Sequence, residues 1–317
     1  MARVDEENSE KVKLQKKDVK ILALLDKDAR ATYKQLGKVS YTSRDTAAYR
    51  VKRLEKEGVI DRYTLDFNFR KYGYEEHHIL FQLLESDPDK TEDFKQYLIS
   101  QSQVTNIITY TDKWDMKITS MTEDAIELDK FLTSLSNKFS DIIIDYEIME
   151  RVKTFHPVFQ DSDEELKLDE VDKKLLRMLS KDSRTSAVDL ANQLEVSADT
   201  VIYRMKKYVE LGLIHQFTVH MNVNKMGYHW YDMLVLMKKF TEKEEAMIRE
   251  IARDNDNIIS AIKTIGEWNM IITVLAKNPP EFHSIATHIR RLLKDTLKDY
   301  DALLAYKELK NDFSQLI

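Results

Sequence analysis

The feature that most constrains this chain is that it matches itself at one fixed offset. Asp18 aligns with Asp172, an offset of 172 − 18 = 154, and the same offset pairs Arg30 with Arg184, Ser43 with Ser197, Thr46 with Thr200, Tyr49 with Tyr203 and Arg50 with Arg204. It continues through Gly58 and Gly212, Ile60 and Ile214, Gly73 and Gly227, Tyr74 and Tyr228, Trp114 and Trp268, and Met116 and Met270, with no insertion. Chance identities do not hold one register through glycines, tryptophans and charged positions alike, so the sequence reads as two copies of one unit. The acidic stretch from Gln160 to Leu166 has no periodic apolar face and suits a linker. Each unit is too long for a solenoid repeat and should hold two domains of its own.

The first part of each unit reads as three short helices. Leu22 and Leu25, then Tyr33, Leu36 and Val39, fall on single helical faces. Ser43 is placed as an N-cap before Ala47, Val51 and Leu54, and Gly58 ends that helix. The second unit repeats the plan with Leu176 and Leu179, Leu190 and Leu194, and Ser197 before Val201, Met205 and Tyr208, stopped by Gly212. Three short helices joined by tight turns form a helix-turn-helix, whose last helix enters the major groove of DNA.

The face opposite the buried stripe supports that use. At about 100° per residue, Asp45, Tyr49, Lys52 and Lys56 point away from the core, with Arg44, Thr46, Arg50 and Arg53 on the flanks. The second copy offers Asp199, Tyr203 and Lys206, flanked by Arg204 and Lys207. Tyr49 and Lys52, with Tyr203 and Lys206, are expected to approach base edges. The arginines and Lys207, with Ser43, Thr46, Ser197 and Thr200 at the helix starts, are expected to contact the backbone. Asp45 and Asp199 read as first-turn acids stabilised by the helix dipole.

The second part of each unit alternates. A strand at His78–Leu84, a helix at Thr91–Ser100, strands at Val104–Tyr110 and Trp114–Thr119, a helix at Thr122–Asn137 and a strand at Ile142–Val152 give the order β-α-β-β-α-β. The second unit matches it. This is the ferredoxin-like arrangement, with helices on one face of an antiparallel sheet. The fold class is therefore α+β, a tandem duplication of a winged or three-helix helix-turn-helix domain followed by a ferredoxin-like domain. The expected boundaries are a flexible N-terminus at 1–13, helix-turn-helix domains at 14–62 and 167–216, ferredoxin-like domains at 63–159 and 217–317, and the linker at 160–166. The bare face of each sheet should pack on the other sheet or on that of a second chain.

Composition narrows the function. Hydrophobic residues at 43% and charged residues at 33% fit globular domains, and no apolar run approaches a membrane span. The polar, acidic N-terminus lacks a signal-peptide core, so a cytoplasmic protein is expected. The absence of cysteine removes disulfides, thiolate metal sites and thiol nucleophiles. A net charge of −6 argues against coating nucleic acid by bulk charge, so DNA contact must be local.

Several motifs resemble the Lrp/AsnC family, the feast/famine transcription regulators. They are Leu168-Asp-Glu-Val-Asp-Lys-Lys-Leu-Leu176, Asp28-Ala-Arg30 with Asp182-Ser-Arg184, and Tyr49-Arg-Val-Lys-Arg-Leu-Glu-Lys-Glu-Gly-Val-Ile60. Gly266-Glu267-Trp268-Asn269 is similar to that family's turn in the effector-binding domain, with Asp112-Lys-Trp114-Asp115 as the first-unit counterpart. The resemblance implies a sequence-specific regulator that binds double-stranded DNA, assembles as a homodimer or higher homo-oligomer, and takes a small-molecule effector, an amino acid or other metabolite, near that turn. Trp114 and Trp268 fit core packing as well as an effector site. No cofactor, metal, membrane contact or catalytic residue is expected. A fused pair of this architecture also resembles siroheme decarboxylases, but those carry a His-Cys-Tyr-Arg-type stretch where this chain reads Val104-Thr-Asn-Ile-Ile-Thr-Tyr110. A partner of other regulators that does not itself bind DNA is the third reading.

Overall fold

The computed structural model describes residues 2–4, 10–84, 87–157 and 167–317; the expected linker at 160–166 lies outside the described residues. The first half runs β1 (Ala2–Arg3), α1 (Lys16–Lys27), α2 (Tyr33–Ser40), α3 (Arg44–Lys56), β2 (Ile60–Phe67), a 3-10 turn at Phe69–Tyr72, β3 (Glu75–Leu83), α4 (Pro88–Ser100), β4 (Val104–Tyr110), β5 (Met116–Thr122), α5 (Ala125–Phe139) and β6 (Ile143–His156). The second half runs α6 (Glu170–Lys181), α7 (Ala187–Leu194), α8 (Ala198–Glu210), β7 (Ile214–Asn222), β8 (His229–Met237), α9 (Glu242–Arg253), β9 (Ile258–Gly266), β10 (Met270–Ala276), α10 (Pro279–Leu292) and β11 (Leu297–Asn311). The chain forms two compact units. One joins Met1–Tyr72, Gln160–Gly227 and Phe313–Ile317, and the other joins Gly73–Phe159 and Tyr228–Asp312. Each half of the sequence thus gives one helix-turn-helix to the first unit and one α/β domain to the second. Among the described residues no helix is long and apolar enough to cross a membrane.

In the first unit, Ile21, Leu22 and Leu25 of α1, Leu36 of α2, and Ala47, Val51 and Leu54 of α3 form a buried core, whereas Val39, expected on the face of Leu36, is exposed at the end of α2. Each full-sized aliphatic side chain so buried contributes about 1.5–3 kcal/mol. Two strands escape the sequence reading. In Ile60-Asp-Arg-Tyr-Thr-Leu-Asp-Phe67, alternation is broken by charges, yet β2 pairs antiparallel with its repeat counterpart β7. Thr64 lies opposite Thr218, its own equivalent, so a local pseudo-twofold axis passes through that pair. The symmetry extends to the helices: Ala29 donates its N–H to Phe217 O at 2.8 Å, and Ser183 donates to Tyr63 O at 3.1 Å. Within the stretch 1–13, expected to be flexible, Ala2 and Arg3 pair in parallel with Met221 and Asn222 and Val4 is fully buried. The free edge of β7 offers that segment its hydrogen bonds.

In the second unit eight strands close a barrel in the order β10-β8-β11-β4-β5-β3-β6-β9. Two four-stranded sheets meet edge to edge, β11 on β4 and β6 on β9, with Ala305 opposite Tyr110 and Arg151 opposite Thr264, again related by the repeat offset. The bare faces of the two sheets thus meet across an interior, as expected, and the edge joints in addition close them into a barrel, which leaves none of these eight strands with an unpaired edge. Helices cover the outside. Phe94, Leu98, Phe131 and Leu135 pack on Ile79, Phe81, Ile107, Met116 and Ile118, and α9 and α10 do the same for the other half. α4 starts at Pro88 under an Asp87 cap rather than at Thr91, since proline is preset for the first helical turn. α5 starts at Ala125 under an Asp124 cap rather than at Thr122.

Residues between the outward-packed ones point into the barrel. Asp232 of β8 accepts hydrogen bonds there from Tyr110 and Lys117, from Trp230 Nε1 at 2.9 Å and from Thr273 Oγ1 at 2.7 Å. Lys117 lies on β5, separated from β8 by two strands, so this contact crosses the interior. Burial alone would raise the Asp232 carboxyl, but Lys117 and the other donors hold it below the ordinary carboxylate range.

Candidate nucleic-acid interface

The recognition helices are set by their first turns. Ser43 Oγ accepts from Thr46 N at 3.1 Å and Ser197 Oγ accepts from Thr200 N at 3.1 Å. The four hydroxyl residues expected at the helix starts are thus joined as two caps, and each serine satisfies a backbone donor that the helix leaves free. With Ala47, Val51 and Leu54 turned inward, α3 exposes Arg44, Asp45, Thr46, Lys52 and Tyr49, the last to 69%. In α8, Val201, Met205 and Tyr208 are buried while Tyr203 is 66% exposed, beside exposed Lys206 and Lys207. Lys206 also faces Glu210 one turn on, at 3.5 Å.

Three of the expected phosphate ligands are placed differently. Arg50 Nη1 and Arg53 Nη2 both donate to the fully buried carboxylate of Asp18 on α1, at 2.8 and 2.7 Å, and Arg50 also reaches Gln15 Oε1 at 2.9 Å. Burial pushes the Asp18 carboxyl up, and the Gln15 N–H with the two guanidinium groups brings it below its ordinary value. Arg204 donates to both Asp169 and Asp172, and Tyr208 Oη donates to Asp172 as well. These arginines hold each recognition helix to the first helix of its module. The acid at 18 and 172 was visible as a repeated residue, but its role was not, because an i+32 pairing leaves no local periodicity. The reading also missed Lys34 and Lys38, both exposed on α2, where helical spacing could have placed them outward.

The expected effector residues gather at two turns of the barrel unit. Trp114 is fully buried and Trp268 nearly so, which meets the packing alternative. The Asp115 carboxylate accepts from Leu83 N at 2.7 Å; its counterpart Asn269 accepts from Met237 N at 3.0 Å and donates to Met237 O at 3.2 Å. The acid-to-amide change thus keeps a brace on the adjoining strand. Gly266 has φ +150°, and a Cβ there would lie 2.3 Å from Ile148 O, so glycine is needed where β9 crosses β6. The first copy instead uses Asp112, whose carboxylate accepts from Leu304 N at 2.8 Å. Near Trp268, burial raises the Glu147 carboxyl against the pull of Lys113 and the indole. Lys113 lies 4.7 Å over the Trp114 ring. Glu267 follows Gly266 in the turn and supplies a second negative charge near Glu147.

A family model described as winged helix-turn-helix DNA-binding matches residues 14–61, and an AsnC-type helix-turn-helix domain model matches residues 168–208. An uncharacterized HTH-type transcriptional regulator of Pyrococcus abyssi is 30% identical over 148 residues, which span 97% of that protein and 46% of this chain. The regulatory protein AsnC of Haemophilus influenzae is 28% identical over 139 residues, 91% of its length and 44% of this chain. This chain belongs to the Lrp/AsnC family. These two Lrp/AsnC relatives each match a little under half of it. Over 95% of this chain and 96% of the other, the fold of this Lrp/AsnC protein also follows the crystal structure of the siroheme decarboxylase NirDL, with a TM-score of 0.66 at 16% identity. That likeness is one of fold.

Proposed function

We propose that this protein is a sequence-specific, DNA-binding transcription regulator whose two recognition helices read one two-part site. The observation that carries the reading is the β2–β7 pairing about Thr64 and Thr218. It relates two exposed recognition helices by a pseudo-twofold axis inside a single unit, so the two half-sites run in opposite directions. Because α3 and α8 differ in sequence, the halves differ too, and the operator is an imperfect inverted repeat. Tyr49, Lys52, Tyr203 and Lys206 face the bases, while Arg50, Arg53 and Arg204 set the helices at the angle needed to do so. A small metabolite such as an amino acid is the effector, with Lys113 and Glu147 suited to its carboxylate and ammonium groups. Chains associate further as homo-oligomers in the cytoplasm. Decarboxylase activity is not part of this reading, since Val104–Tyr110 holds no His, Cys or Arg.

The test is selection from a random duplex DNA pool, repeated with the variant Tyr49→Ala, Lys52→Ala, Tyr203→Ala, Lys206→Ala. Recovery of an asymmetric inverted motif that the variant fails to enrich is the expected result. A folded protein that enriches nothing would overturn the reading.

A further inference from the structure

The two recognition modules have the same fold but different surfaces. Over residues 14–62 there are 13 Lys and Arg against 7 Asp and Glu, a net +6, whereas the equivalent residues 168–216 hold 8 of each, a net of zero. The difference falls on the outward faces of the second and third helices. Lys34, Lys38, Arg44 and Lys56 are all exposed, and their counterparts are Val188, Asn192, Ala198 and Glu210. The second module is not simply weaker in charge, because it gains apolar surface. Val188 is 59% exposed, and Ile202 on α8, where the first module has Ala48, is 51% exposed. Ile202 lies three residues after Asp199 and four before Lys206, next to Tyr203, on the flank between the buried stripe of Val201, Met205 and Tyr208 and the outward face.

A cation that meets phosphate is blind to sequence; a branched aliphatic group gains nothing from phosphate but complements the C5-methyl of thymine. We infer that the modules share the work unequally: beyond the base contacts of Tyr49 and Lys52 the first supplies most of the anchoring on the DNA backbone, and the second adds sequence discrimination through Ile202, seated on a thymine methyl. This inference rests on the DNA-binding reading above and goes on to say which module supplies which part of it.

The experiment uses the duplex recovered by selection, titrated with full-length protein across a salt series. Exchange of the four surface residues tests the anchor, since all are exposed and the core is untouched. Lys34→Val, Lys38→Asn, Arg44→Ala and Lys56→Glu together should lower the slope of log affinity against log salt by about 3.6, at ~0.9 for each phosphate no longer neutralised. The reverse exchange, Val188→Lys, Asn192→Lys, Ala198→Arg and Glu210→Lys, should raise it. Deoxyuridine in place of thymine tests the reader. One such change in the second module's half-site should weaken the wild type about fourfold, the worth of one buried methyl, and leave Ile202→Ala indifferent. An unchanged salt slope in the first exchange, or a half-site insensitive to deoxyuridine throughout, overturns the division of labour while the selected duplex still stands. Failure to select any duplex overturns the DNA-binding reading itself.

Discussion

Asp232 and His78 occupy the same place in the two copies of one barrel strand, 232 − 78 = 154 residues apart, and their surroundings could hardly differ more. Asp232 gathers donors from both halves of the chain, Tyr110 and Lys117 from the first and Trp230 and Thr273 from the second. His78 keeps within its own half, with Thr119 Oγ1 at 3.3 Å from its Nδ1 and Glu76 Oε1 at 3.1 Å from its Nε2. The repeat counterparts of Tyr110 and Lys117 are Thr264 and Ile271, neither of which can neutralise a carboxylate. Two second halves paired with one another would bury Asp232 against an aliphatic chain. The barrel interior therefore specifies that unlike halves close on each other, and symmetry of fold is kept while symmetry of chemistry is not.

The largest effect should come from breaking the cross-barrel contact. Asp232→Ala strands the Lys117 ammonium in the interior and is expected to cost about 3–5 kcal/mol in urea unfolding, against about 1–3 kcal/mol for His78→Ala, which removes a group paired within its own half. Equal costs would break the comparison. Acid should come next. Arg151 and His78 outweigh burial and hold Glu76 at about 2. Its folded value lies below its unfolded one, so its stabilisation is complete above pH ~5 and is lost as pH falls towards 2, on the order of 3 kcal/mol. Glu76→Gln should flatten an acid titration of stability over that interval, and an unaltered curve would assign the acid sensitivity elsewhere.

The same contrast between copies can be sharpened in the recognition modules. Asp18 alone receives both Arg50 and Arg53, whereas Arg204 is shared between Asp172 and Asp169. Asp18→Asn should therefore cost more, about 2 kcal/mol, than Asp172→Asn at about 1 kcal/mol, because Asp169 still holds Arg204. Thermal unfolding of the two variants side by side decides it. Smallest, and equal in both copies, should be the loss of a cap: Ser43→Ala and Ser197→Ala at about 1 kcal/mol each. Unequal losses there would mean that the copies differ in local helix stability as well as in side-chain partners.

Much of this architecture was legible in the sequence, for reasons that can be located. The helices announce themselves because Ala47, Val51 and Leu54 recur at helical spacing after a serine cap, and the six elements of each α/β domain because turn residues separate alternating runs. β2 and β7 were illegible, since Asp61, Arg62 and Asp66 interrupt the alternation and the strand is completed only by its counterpart. Outward Tyr49, Lys52, Tyr203 and Lys206 followed from angle alone. The arginines beside them share those angles, but their carboxylate partners lie more than thirty residues earlier, and only the fold brings the two together. Barrel closure was hidden for the same reason: an edge-to-edge joint depends on backbone groups, which every sequence carries alike.

Pairing β2 with β7 inside one polypeptide has a kinetic meaning. Two separate chains would have to find each other before they could grip a two-part site, and occupancy would then fall with the square of a falling supply. Here the second module is held next to the first by the fold, at an effective concentration that copy number cannot change. On the two-part site proposed above, such a protein can be scarce and still engage both halves at once.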